Sequence, residues 1–193
     1  MRLLAIPVAV LAVSTLGPAS AQAQGYFSPN IGYDFGGDAG NCPSLFKDCS
    51  EKKTSFGVAV GFLARGIFGF EEDFSYAPDF FGKSASFGDN SVLTMMSNIV
   101  VGVPAGPIRP FASAGIGLIR TKVGFNVASL TAFSNNALGY DFGGGVMAFL
   151  PYHLGIRGDF RYIRSAKEMT ILGISLNSSQ LNFARASIGL VLH

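Results

Sequence analysis

The chain has 193 residues, with 14 Lys and Arg against 12 Asp and Glu and a formal charge of +2. So even a balance argues against a nucleic-acid partner, which calls for a basic patch. Charged residues make up only 13% and hydrophobic residues 49%, which is unusual for a soluble domain, yet no segment past the N-terminus has the roughly 18 consecutive apolar residues of a membrane helix.

The first 24 residues carry an export pattern. Arg2 supplies a positive start, Leu3 to Leu16 is apolar apart from Pro7, Ser14 and Thr15, and Pro18-Ala19-Ser20-Ala21 ends in an Ala-x-Ala motif. Cleavage is expected after Ala21, with Ala23 as the second choice, so that residues 1–21 form a signal peptide and 22–193 one domain. Eight strands are predicted after it: Tyr26–Gly36, Thr54–Ala64, Ile67–Tyr76, Ser91–Val103, Ile108–Val123, Leu138–Leu150, His153–Arg164 and Gln180–His193. Connections after the second, fourth and sixth are tight, at Arg65-Gly66, Pro104-Ala105-Gly106-Pro107 and Pro151-Tyr152. Those after the first, third, fifth and seventh run through Gly37–Lys53, Ala77–Asn90, Gly124–Ala137 and Ser165–Ser179. Short turns therefore gather at one end and long loops at the other.

Side chains alternate across a strand with period two, and the two faces differ. In the seventh strand Leu154, Ile156, Phe160 and Tyr162 fall on one face and His153, Arg157, Asp159 and Arg161 on the other. The apolar face recurs as Ile31, Tyr33 and Phe35, as Phe56, Val58, Val60 and Phe62, and as Phe68, Phe70, Phe74 and Tyr76. It continues in Met95, Ile99 and Val101, then Ala112, Ala114, Ile116 and Leu118, then Phe142, Val146 and Leu150, and finally Ile188, Leu190 and Leu192. The opposite set is small or polar: Asp34, Gly57, Gly61, Glu71, Asp73, Asn98, Gly115, Gly117, Asp141, Arg157, Asp159, Arg161 and Arg185. Strands of about ten residues with an oily outside and a polar inside describe an eight-stranded antiparallel up-and-down transmembrane β-barrel, short turns in the periplasm and long loops outside the cell. A soluble barrel would need the apolar face turned inward, which the inward arginines oppose.

Gly-Tyr-Asp-Phe-Gly-Gly occurs at Gly32–Gly37 and again at Gly139–Gly144. Both copies are expected to set Tyr33, Phe35, Tyr140 and Phe142 in an aromatic girdle at the outer interface, with Asp34 and Asp141 inward; chance in a chain of 25 Gly and 18 Phe is the alternative. These segments resemble the small outer-membrane β-barrel family of OmpA-like and opacity-protein-like porins. Gly32–Gly37 resembles that family's first strand, Phe70–Tyr76 with Pro78-Asp79-Phe80-Phe81 its third, Arg109–Gly117 its fifth and Gly155–Tyr162 its seventh. The resemblance spans the expected mature chain. It implies the outer membrane of a Gram-negative-type bacterium, with membrane lipid, lipopolysaccharide and the barrel-assembly machinery as partners. The family includes adhesins, envelope-structure proteins and weak pores; the residues themselves, with no Gly-x-Ser-x-Gly and no histidine toward the outer leaflet, lead to the expectation of no enzyme and no cofactor.

Arg157, Arg161 and Arg185 set against Glu71, Asp73, Asp141 and Asp159 form the main candidate site. Eight-stranded interiors are filled by side chains and buried charges need partners, so an ion-pair plug is expected; charges lining a narrow ion path are the alternative. Cys42 and Cys49 are the only cysteines. In an oxidising periplasm they are expected to form a disulfide, a metal pair being the alternative. Arg157-Gly158-Asp159 spells the tripeptide that integrins recognise, but an inward mid-strand position makes it inaccessible. His153 and His193 both belong at the turn end, as polar rim residues or a weak metal pair, far from where an acyl-transfer base would face the outer leaflet. Glu72 is difficult: with Glu71 and Asp73 inward it faces lipid, unless a bulge or a contact between protomers accommodates it. Two function classes follow: a surface or envelope-structural barrel acting through its loops, and a narrow pore.

Overall fold

A computed structural model of the protein describes residues 23–36, 53–64, 67–80, 87–125, 133–166, 170–171, 174–175 and 181–193. The chain forms strands β1 (Ala23–Phe35), β2 (Lys53–Ala64), β3 (Phe68–Pro78), β4 (Phe87–Gly102), β5 (Ile108–Phe125), β6 (Phe133–Leu150) and β7 (Leu154–Ser165). A two-residue hairpin of β8 (Thr170–Ile171) and β9 (Ile174–Ser175) precedes the last strand, β10 (Asn182–Leu192). The eight long strands close in the order β1-β10-β7-β6-β5-β4-β3-β2, and every neighbouring pair is antiparallel. All eight expected strands are present. The clearest difference lies in β5 and β6, which run on through much of the expected loop Gly124–Ala137, pairing Arg120 with Asn136, Thr121 with Asn135 and Val123 with Phe133. Ladder hydrogen bonds join backbones whatever the side chains, so hydropathy alone underestimates strands that continue beyond the apolar belt. The expected loop Ser165–Ser179 likewise holds the β8–β9 hairpin.

Register fixes how far the strands lean. Following pairs around the barrel from Tyr140 passes Ile116, Ser97, Glu72, Val60, Phe27, Leu192 and Leu154 and returns to β6 at Leu150, ten residues away. A closed barrel needs such a stagger together with strand tilt. The tight connections are well bonded: Ile67 N donates to Ala64 O at 3.1 Å, and Ala105 and Ile108 form a bridge across Gly106. Between β6 and β7 the chain turns through Tyr152 and His153, both left-handed at φ 67° and 61°.

Large apolar side chains are exposed on the outward face of every long strand. The inside is richer in hydrophobic residues than its small and polar expectation. Leu63, Val100, Phe111, Met147, Val191 and Tyr26 form one buried cluster near the turn end, and Val92, Met96, Ile119, Ile163, Phe80 and Phe183 belong to another near the loop end. Charged side chains fill the layer between them. The lumen is thus stacked as apolar, charged, apolar.

Candidate functional site

Glu71, on β3, is fully buried and is the hub of the charged layer. It accepts hydrogen bonds from Arg157 and Arg161 across the lumen, with Arg157 Nη2 at 3.1 Å from Oε1, and from the Tyr26 hydroxyl at 2.5 Å. Period-two spacing on β7 lines up Arg157, Asp159 and Arg161 on one face. Asp159 therefore sits between the two guanidiniums, 2.8 Å from Arg157 Nε and 3.3 Å from Arg161 Nε. Arg161 also donates to Asp141 at 3.2 Å and approaches Asp73 at 4.0 Å. Bidentate and charge-assisted bonds of this kind are the strong ones.

Arg185 does not join the carboxylates expected for it. It pairs bidentately with Asp34, Nε to Oδ1 at 2.6 Å and Nη2 to Oδ2 at 3.1 Å, and also donates to Thr94 at 3.3 Å. The reason is closure: β1 meets β10 with Asp34 directly opposite Arg185, nearer than any acid across the lumen. Ser55 adds a hydrogen bond to Asp34 at 3.3 Å. Both units are tied to the apolar layers, since Arg157 lies 4.7 Å over the Phe111 ring and Arg185 5.5 Å over Phe183.

Other candidates divide cleanly. Arg157 and Asp159 turn their side chains into the lumen, 1% and 5% exposed, and only Gly158 of the Arg-Gly-Asp tripeptide faces outward. His153 and His193 meet at the turn end, ring centroids 5.8 Å apart, and His193 N donates to His153 O at 3.1 Å. Phe149 packs edge-on against His193 at 4.9 Å. Among the described residues no group of three or more His, Cys, Asp or Glu suits a metal ion. Tyr140 and Phe142 are exposed on the outward face, Phe142 against Tyr162 at 5.3 Å and Phe35 against Phe160 at 5.9 Å; Tyr33 lies on the same outward side of β1 as Phe35. Cys42 and Cys49 lie outside the described residues.

Glu72 is accommodated without a bulge. The β3–β4 ladder is regular through Glu71–Asn98, Glu72–Ser97 and Asp73–Met96, so Glu72 does face outward, and Ser97 Oγ donates to its two oxygens at 2.8 and 3.0 Å. Three features escaped the sequence: the Asp34–Arg185 pairing, the Tyr26 bond to Glu71, and the paired apolar layers. The first was within reach from closure of the first strand on the last. The others depend on which inward residues share a level, which requires the register.

The profile of the outer membrane protein beta-barrel domain family matches residues 9–193. No curated protein matches the chain by sequence. Among solved structures, Neisserial surface protein A (NspA) is similar with a TM-score of 0.65 at 16% identity, covering 88% of this chain and 97% of that one. Ail, the attachment invasion locus protein of Yersinia pestis, in complex with the heparin analogue sucrose octasulfate, gives 0.56 at 14% identity, with 88% and 98% covered. A major outer membrane protein from Thermus thermophilus gives 0.51 at 16% identity, with 88% and 99% covered. At these identities the likeness is one of fold.

Proposed function

The chain belongs to the outer membrane protein beta-barrel domain family, and on that premise we propose that it is a sealed envelope barrel working through its outer loops. In this reading residues 1–21 export it to the outer membrane of a Gram-negative-type bacterium, the barrel-assembly machinery inserts it, and lipid and lipopolysaccharide surround it. Cys42 and Cys49 close a disulfide in the first loop. The barrel itself anchors and displays; it carries no catalytic centre.

One observation carries the sealed reading: the charged layer lies between two apolar layers whose members, Leu63, Val100, Met147 and Val191 on one side and Val92, Met96, Ile119 and Phe183 on the other, are all 0–1% exposed. An ion would have to shed its water to pass either layer, and desolvating a charge costs several kcal/mol. Conductance across a planar bilayer tests it. Current at background level is expected from the inserted barrel. Stable, cation-selective steps would support a pore instead, since five carboxyls face three guanidiniums in the charged layer.

A further inference from the structure

The chain has only two histidines, and closure of the barrel brings them face to face. The β7–β10 ladder runs from Asn182 opposite Arg164 to Leu192 opposite Leu154, and one step further puts His193 opposite His153. The backbone keeps that register, since His193 N donates to His153 O at 3.1 Å. Opposite residues on neighbouring antiparallel strands hold their Cβ atoms about 5 Å apart, and here the ring centroids are 5.8 Å apart. Neither imidazole forms a hydrogen bond or ion pair with another side chain among the described residues. His193 is fixed by Phe149, packed edge-on at 4.9 Å. Its Nδ1 is buried without a partner, so Nε2 is the nitrogen it presents. His153 is exposed.

Two open imidazoles at this spacing suit a metal ion. With metal–nitrogen bonds of about 2.1 Å, two rings on one ion have centroids roughly 5–6.5 Å apart for bond angles from tetrahedral to linear. The observed 5.8 Å falls inside that range. No third His, Cys, Asp or Glu completes a group among the described residues, so water fills the rest of the shell and the hold is a reversible two-point chelate. The positive charge of Arg109, 4.7 Å over the same Phe149 ring, keeps the affinity modest. Nitrogen ligands without a carboxylate select copper(II), nickel(II) and zinc(II), whereas calcium and magnesium require oxygen.

We propose that His153 and His193 form a divalent metal site of this imidazole-binding class at the turn end, clamping the end of β10 to the start of β7. The test is calorimetric titration of the full chain, refolded in detergent and carrying Cys42→Ser and Cys49→Ser so that no thiol competes. One ion per chain is expected, copper(II) binding tightest, with calcium and magnesium giving only heats of dilution. His193→Ala and His153→Asn are each expected to weaken nickel(II) binding about tenfold or more. Asn tolerates the left-handed φ of 61° at that position, so the turn survives the change. A ligand of the folded state stabilises it, and saturating nickel(II) is therefore expected to raise the urea midpoint of the parent and of neither variant. Retention of the folded, heat-modifiable gel band shows that each variant barrel is intact. Absence of binding by the parent, undiminished binding in either variant, or calcium bound as tightly as nickel(II) would overturn the proposal. A ratio of one ion to two chains would overturn it as well, because the ion would then bridge separate copies.

Discussion

Glu71 illustrates why single residues matter inside so narrow a barrel. Two guanidiniums and a phenol converge on one fully buried carboxylate, and removing its charge leaves Arg157 and Arg161 without their main partner. Breaking a buried pair costs roughly 3–5 kcal/mol, because the remaining charge stays desolvated. Glu71→Gln is therefore expected to lower the urea unfolding midpoint by an equivalent amount. Asp159→Ala should lose nearly as much, since Asp159 bonds both Nε groups at 2.8 and 3.3 Å. The two changes share both arginines, so the double variant should lose clearly less than the sum of the singles. Additive losses would mean that the two carboxylates act on separate partners. Asp34 and Arg185 form their own unit, and its loss should add to either.

At the scale of elements, the β6–β7 turn carries strain that the strands impose. Leu150 pairs with Leu154, leaving Pro151, Tyr152 and His153 to reverse the chain, two of them left-handed. A left-handed residue with a Cβ costs about 1 kcal/mol, and Asn tolerates that region better than Tyr. Tyr152→Asn is expected to raise unfolding stability by up to about 1 kcal/mol, read as a higher urea midpoint with an unchanged slope. Tyr152 is 92% exposed, so no packing is lost that would mask the effect; a lower midpoint would show that the ring anchors the turn in the interface. Gly143 in β6 comes so close to β7 that a Cβ there would lie 2.1 Å from the Phe160 carbonyl oxygen, whereas Gly36, its counterpart in the first copy of the hexapeptide, is required by a left-handed φ of 69°.

For the molecule as a whole, orientation is the property on which the proposed function turns. In a chain carrying Cys42→Ser and Cys49→Ser, single cysteines at Asp89, Asn126 and Lys167 are expected to react with an impermeant thiol reagent on intact cells. A cysteine at Ala105 should react only after the outer membrane is opened. Reaction at Ala105 on intact cells would invert the barrel. The cysteine-free parent should itself insert, because the barrel closes through β1 and β10 and not through the first loop.

Alternation by itself determined the architecture: eight strands, the outward apolar faces and the inward positions of Glu71, Asp141, Arg157, Asp159 and Arg161 all follow from period two, which is a local property of the chain. The even-odd pattern of short and long connections added the antiparallel order. Tertiary structure alone decided which inward residues share a level. Arg185 meets Asp34 because β10 closes on β1 in one register, and a slip of a single residue would have turned every side chain to the other face. The two apolar layers arise the same way: Phe111, Met147 and Val191 come from three strands and become neighbours only once the ten-residue stagger of the barrel sets their heights. Glu72 shows the same division. Its outward direction was legible from its neighbours, whereas its bond to Ser97 needed the pairing of β3 with β4, a contact that sequence distance does not encode.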